Sequence, residues 1–302
     1  MTTSEMITPR PEVSGTADVR TLFNAGVHFG HPSKRWNPKM KRYIFTKRRN
    51  AHIIDLAKTT VALHEARKFI TTIVGNGGDC LMVGTKKQAQ GPIEQEAKRA
   101  GAHYISQRWP GGLLTNFQTI QSRIVKLVKL EDQAAKGELQ VQTKREAQKA
   151  QTEISRLNQY LGGIKEMSRL PSVLFIVDIT TEDIAVREAT RLGIPVVAVV
   201  DTNSDPDAVK FPIPGNDDAV RSIQLIASQI ADSILEGKGL AQKAQADKMA
   251  ADAELEAMEA SARSNVQAAA ASRVNKALLP VKAAEELLEQ EEEEAENPGP
   301  VS

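Results

Sequence analysis

Residues 173–201 read VLFIVDITTEDIAVREATRLGIPVVAVVD. The runs Val173–Val177 and Val196–Val200 are apolar at every position, and each ends in an aspartate, Asp178 and Asp201. A strand with one wet face would alternate, so a strand that is apolar throughout is covered on both sides. Between the runs, Glu182 to Leu192 has helical composition and stops at Gly193. Strand, single helix and strand at this spacing predict an α/β fold, a parallel sheet covered by helices.

The same rhythm extends outward. Cys80–Val83 is another compact apolar run, and His103–Ile105 a short strand after a helix from Gln88 to Ala100. Leu56 to Val74 has helical periodicity, with Val61, Ala62, Ala66, Phe69, Ile70 and Ile73 on the expected apolar side. Asn216 is expected to cap a helix reaching about Leu235, with Asp217 and Asp218 favourable in its first turn. Asp18 to Ala25 predicts a short helix ending at Gly26.

One region breaks the rhythm. Phe117, Ile120, Ile124, Leu127, Glu131 and Ala134 are spaced 3-4-3-4-3, and so are Ala147, Ala150, Ile154, Leu157, Leu161 and Ile164. Two such seams around Gly137 predict an inserted antiparallel helical hairpin, a coiled coil, over 116–164. The expected organisation is a flexible lead (1–17), an α/β domain (18–115 and 165–237), the hairpin, and an Ala/Glu-rich, largely disordered acidic tail (238–302).

A net charge of +1 hides an uneven distribution. From Ala241 onward there are 6 basic and 13 acidic residues, which leaves the first 240 residues with a net +8. Within them, Lys34, Arg35, Lys39, Lys41, Arg42, Lys47, Arg48 and Arg49 follow one another without a carboxylate, interleaved with Trp36, Tyr43 and Phe45. Such a surface suits a polyanion, and the aromatics favour nucleic acid. Pro32 and Pro38 argue for an ordered loop here, with small strands near Tyr43–Phe45 and His52–Asp55.

Two further segments carry binding chemistry. Lys86 and Lys87 follow a buried strand, where sheet ligands usually bind, and fit a phosphate contact at a helix N-terminus. In the turn from Ser106 to Phe117, Arg108 suits a bidentate phosphate contact, and Gln107 and Asn116 suit backbone or bases. Trp109 fits either a base-stacking role or a core anchor, with packing favoured.

Competing chemistries find less support. Gly84-Thr85-Lys86-Lys87 is neither of the standard phosphate-cradling glycine motifs, so no nucleotide cofactor is expected. Asp178 and Asp201 fit a metal-dependent or acid/base site, but equally local capping. His28 and His31 have ligand-like spacing without evident partners, so no metal is expected. No nucleophile–base arrangement is evident, and Cys80, the single cysteine, reads as a buried strand residue. No apolar stretch reaches the roughly 20 residues of a membrane span, and the N-terminus lacks a signal-like apolar core, so a cytoplasmic protein without a membrane partner is expected.

The segments AGVHFGHPSKRWNPKMKRYIF (25–45), HIIDLAKT (52–59), VGTKKQAQ (83–90), QRWPGGLLTNFQTI (107–120), LGGIKEMSRLPSVLFIVD (161–178), LGIPVVAVVDTNSDPD (192–207) and IPGNDDAVRSI (213–223) together resemble the bacterial small-subunit ribosomal protein uS2 (S2) family. The resemblance covers about residues 18–237. It implies a Rossmann-like sheet with an inserted hairpin and no catalytic activity, cofactor or small-molecule substrate. It also implies binding to small-subunit (16S) ribosomal RNA and to neighbouring small-subunit proteins including the largest one, with a location in cytoplasmic ribosomes. Under it, the basic loop and the Gln107–Asn116 turn are assigned to RNA, while His28, His31 and Trp36 organise the loop. A nucleotide- or metal-dependent α/β hydrolase would instead need a closed pocket joining Asp178 and Asp201. A protein-interaction adaptor would need a protein-lined hairpin seam.

Overall fold

The structure, a computed structural model, describes residues 17–137, 144–250, 252–254, 256 and 258. The expected flexible lead before Ala17, the hairpin connection at 138–143 and the end of the acidic tail lie outside the described residues. The chain divides into a body, Met1–Ala241, and a second unit, Gln242–Ser302, whose described residues are helical.

Five strands form the central sheet of the body. They are β4 (Cys80–Val83), β5 (His103–Ile105), β6 (Val173–Val177), β7 (Val196–Val200) and β8 (Phe211–Pro214), in the order β5-β4-β6-β7-β8 with every pair parallel. Both faces of β4, β6 and β7 are buried, as their unbroken apolar runs require. Phe211-Pro212-Ile213-Pro214 does not read as a strand, yet β8 pairs with β7 along its whole length. It stands at the sheet edge, where prolines remove no interior ladder bond.

One face of this sheet is covered by α2 (Leu56–Gly75), α3 (Lys87–Ala100) and α7, helical from residue 220 to the end of the body. The other is covered by α4 (Phe117–Ala135), α5 (Lys144–Leu161) and α6 (Asp183–Leu192). Helix α2 sits rotated from the expected register. Leu56, Thr59, Leu63, Ala66, Ile70 and Val74 face inward, and Val61 is exposed. Thr59 makes this face workable, because its hydroxyl donates to the carbonyls of Asp55 and Pro214.

Helix α7 does not stop at Gly237-Lys238-Gly239, where the composition predicts a break. Gly237 instead lets it cross α2 closely: a Cβ there would lie 2.8 Å from that of Val74 and 2.9 Å from the Thr71 carbonyl oxygen. The helix starts later than expected: Asn216 Oδ1 accepts from the backbone amides of Asp218 and Ala219 and closes a turn over 216–219, so that Asp217 and Asp218 precede the first helical residue, 220, instead of lying in its first turn. Helices α4 and α5 bury Ile120, Ile124, Leu127, Ile154 and Leu161 near the sheet. From Val128 to Gly137 and from Arg145 to Glu153 no described side chain is buried.

The basic segment is more regular than a loop. After α1 (Val19–Asn24), strands β1 (Phe29–Pro32), β2 (Ile44–Arg48) and β3 (Ala51–Ile54) form an antiparallel sheet in the order β1-β3-β2. Between β1 and β2 the prolines enforce two short 3-10 turns, Ser33–Arg35 and Pro38–Tyr43. Strand β1 is anchored at the carboxyl end of β7: the His31 amide donates to Thr202 Oγ1 at 2.9 Å and to Asp201 Oδ1 at 3.3 Å. Gly30 permits this approach, since a Cβ would lie 2.6 Å from Thr202 Cγ2.

Candidate nucleic-acid interface

The eight cations from Lys34 to Arg49 are all exposed. Lys39 and Arg42 are nonetheless tied to the strand β7–β8 connection, with Lys39 Nζ 2.7 Å from Asp205 and Arg42 Nη2 2.5 Å from Asp207. Among the described residues, no carboxylate pairs with Lys34, Arg35, Lys41, Lys47, Arg48 or Arg49. Met40 is fully buried beneath the segment, in the same apolar layer as Trp109, Leu113 and Leu114. The basic segment and the Gln107–Asn116 turn are therefore anchored on one face of the large sheet.

The three aromatics of the segment separate. Trp36 packs against His52, with ring centroids 5.1 Å apart, and Tyr43 is half-buried under the Arg42 guanidinium. Phe45 points outward and is 75 % exposed. His28 is buried against Phe23 and Phe29, and burial holds its imidazole below the usual value.

The turn is organised by a residue that sequence reading missed. Glu188 of α6 is buried, and its Oε1 accepts from Trp109 Nε1 (3.1 Å) and the Gly112 amide (2.8 Å). Its Oε2 accepts from the Leu114 and Thr115 amides (3.0 and 3.1 Å) and from Thr115 Oγ1 (3.1 Å). Burial pushes this carboxyl up, but the bonds from Thr115, Trp109, Gly112 and Leu114 outweigh it and hold it below its ordinary value. Trp109 is thereby a packed anchor and not a free stacking face. Arg108 is exposed, Gln107 is partly buried, and Asn116 Oδ1 accepts from Thr119 Oγ1 at 2.8 Å. The available signal was position: Glu188 lies between Ala185 and Ala189 on the buried face of α6, where a carboxylate requires donors.

The carboxyl end of the sheet departs most from expectation. Strand order reverses between β4 and β6, the crevice where such sheets take ligands. Here the chain's own side chains occupy it. The Thr85 amide, beside the N-terminus of α3, donates to buried Glu182 at 2.8 Å. Lys86, expected to meet phosphate, is only 18 % exposed and points inward, with Nζ 2.8 Å from Asp217, 2.5 Å from Asp218 and 3.4 Å from Asp178. Lys87 alone of the pair is exposed.

Asp178 accepts from the Thr180 and Thr181 amides and the Thr181 hydroxyl, which is the capping role. Burial raises its carboxyl, yet the Thr181 bond, the Lys86 ammonium and the Thr180 amide hold it below the ordinary value. Asp201 accepts from the Thr202 amide and hydroxyl and lies 2.9 Å from His31 Nδ1. The Asp201 carboxylate beside it, opposed by burial and aided by the charges of Asp217 and Asp218, raises the His31 imidazole. The expectation that His31 lacks partners is thus corrected. His31, Asp201 and Asp217 each bring a ligand atom within 4.8 Å of the others and are the residues here that could hold a cation. Asp178 and Asp201 are thus both engaged in contacts within the chain.

A second basic surface went unnoticed in the sequence. Arg145, Lys149 and Arg156 share one wet side of α5, where they line a shallow groove with Gln148 and Thr152. Glu153 at its margin is paired with Lys126 at 2.6 Å. No described helix is long and apolar enough to cross a membrane.

Residues 22–237 match the family described as Ribosomal protein S2. A protein of Dehalococcoides mccartyi, "Small ribosomal subunit protein uS2", is 56% identical over 223 residues, covering 74% of this chain and 91% of the relative. Proteins with the same description from Roseiflexus castenholzii (56% over 229 residues, 76% of this chain and 87% of the relative) and Dictyoglomus thermophilum (53% over 238 residues, 79% and 96%) are also similar.

Proposed function

The chain belongs to the ribosomal protein S2 family, and from that premise we propose how it works. It is a structural, RNA-binding constituent of the small ribosomal subunit and not an enzyme. Lys34, Arg35, Lys41, Lys47, Arg48 and Arg49, joined by Lys87 and Arg108, neutralise phosphates of 16S ribosomal RNA and fix the register of the protein on it. Gln107 and Asn116 border that surface, Lys39 and Arg42 contribute charge from within their ion pairs, and Lys86 acts internally. The observation that carries the reading is the set of six exposed cations, unpaired among the described residues, carried by the small antiparallel sheet and its connecting turns.

The fold part of the reading is a Rossmann-like domain (18–115 and 165–237), supported by the parallel order and by helices on both faces. Its inserted segment, 116–164, is an antiparallel coiled coil, supported by the two 3-4 spaced seams. The family resemblance supports contacts with neighbouring small-subunit proteins, including attachment of the largest one, in cytoplasmic ribosomes. By composition, residues 238–302 form an acidic tail.

Replacing Arg35, Lys41, Lys47 and Arg48 together by Ala and measuring incorporation into reconstituted small subunits tests the reading. Incorporation is expected to fall and to lose much of its salt sensitivity, with the log–log slope flattened by about 3. Wild-type incorporation at raised salt is the result against it.

A further inference from the structure

The wet stripe of α5 does not end with its cations. Arg145, Lys149 and Arg156 share one face and span about 16 Å of the helix. All three are exposed, and among the described residues no carboxylate pairs with them. The same face continues to Gln159 and Tyr160, three and four residues beyond Arg156, at the end of the helix. Both line a cavity of about 130 Å³ where α5 meets β5 and the start of the Gln107–Asn116 turn.

Gly163 lets the base of the hairpin approach β5 there, since a Cβ at that position would overlap the Tyr104 carbonyl. Several polar groups around the cavity are unmet. Ser106 is buried, yet its hydroxyl makes no hydrogen bond among the described residues, and neither do the side-chain amides of Gln107 and Gln159. Glu94 Oε1 accepts from Lys98 Nζ (2.7 Å) and the Tyr104 hydroxyl (3.3 Å), while its Oε2 has no partner among the described residues. Tyr160 is 40 % exposed, and its ring meets no other ring or cation among the described residues.

Unmet donors and acceptors beside an open aromatic face suit a nucleobase, and a row of cations leading to them suits the phosphates of the same strand. A cavity of about 150 Å³ holds one benzene, so this one takes a single ring, a pyrimidine. The free carboxylate oxygen favours cytosine, which presents an amino donor where uracil presents a carbonyl.

We propose that the α5 stripe and the cavity at its end form one binding element for single-stranded RNA: Arg145, Lys149 and Arg156 hold the backbone, and one unpaired cytosine enters the cavity beside Tyr160. The inference deepens the RNA-binding reading above and rests on it. Duplex RNA keeps its base edges paired and cannot supply that base.

The test titrates the full-length protein into fluorescein-labelled 12-nucleotide oligocytidylate and oligoadenylate and reads anisotropy. The wild type is expected to bind oligocytidylate about tenfold more tightly. Tyr160→Ala removes that preference, Gln159→Ala lowers it about threefold, and Tyr160→Phe keeps it. Replacing Arg145, Lys149 and Arg156 together by Ala weakens both oligomers and flattens the log–log salt slope by about 2. The altered side chains are exposed, so the thermal melts should overlay the wild type. Equal affinity for the two oligomers, or a preference that survives both Tyr160→Ala and Gln159→Ala, overturns the proposal. So does wild-type binding of oligocytidylate by the triple variant, which would make the cavity a site for a free base. A wild type that enters small subunits yet binds neither oligomer overturns this inference alone, whereas one that also fails to enter them overturns the RNA reading beneath it.

Discussion

The Gln107–Asn116 turn and the Lys34–Arg49 segment are both short, polar and anchored on the same face of the large sheet, yet they are held in opposite ways. One buried anion, Glu188, fixes the turn by accepting five hydrogen bonds. Many small contributions fix the basic segment: two strand ladders, the buried Met40 and backbone bonds to Thr202. The turn concentrates its stability in a residue that is buried beneath it. Apart from Lys39 and Arg42, which pair with Asp205 and Asp207, the cations of the basic segment have no carboxylate partner among the described residues.

Glu188→Ala should separate the two regions most sharply. It leaves the Trp109 indole and three amides without acceptors and is expected to cost about 4 kcal/mol in a denaturant titration. Hydrogen exchange should quicken at Gly112–Thr115 while β2 and β3 stay protected. Lys86→Met comes next, at about 3 kcal/mol, because Asp178 and Asp217 would remain buried without their cation. A loss of that size would show Lys86 to be structural, while a stable variant with weakened RNA binding would restore its phosphate role.

Gly30→Ala attacks the anchorage of the basic segment through the clash with Thr202 and is expected to lower stability by about 2 kcal/mol. Changes to the outward residues sharpen the contrast from the other side. Lys47→Ala combined with Arg48→Ala should leave the melting temperature unchanged while reducing RNA affinity and its salt slope.

The smallest expected effect is on pH dependence. The Glu188 carboxyl lies below its ordinary value of 4.5 in the folded protein. Its contribution is therefore complete above that value and lost as pH falls through the lower folded value. Acidification from pH 5 to 3 should lower the melting temperature less in Glu188→Gln than in the wild type.

What could be read from the chain depended on where each residue finds its partners. Strands β6 and β7 were legible because every position is apolar, and Gly101 and Gly193 marked helix ends with positive φ. The basic segment was legible by composition alone. Strand β1 was not, because Gly30-His31-Pro32 has no strand character and its placement comes from Asp201 and Thr202. The role of Lys86 depends on Asp178, Asp217 and Asp218, which no local pattern connects to it. Thr59 in α2 was passed over as polar, although a hydroxyl with two acceptors buries well. Gly237 read as a stop because an isolated helix would end there, whereas close contact with Val74 gives that glycine a packing role.

The anchorage of β1 also has a consequence in time. Its partners lie 170 and 171 residues further along the chain. At about 5–20 residues per second, synthesis takes roughly 10–30 s to reach them. A nascent chain thus carries its run of cations for that interval before the residues that fix them exist. The first surface to be made is among the last to be set.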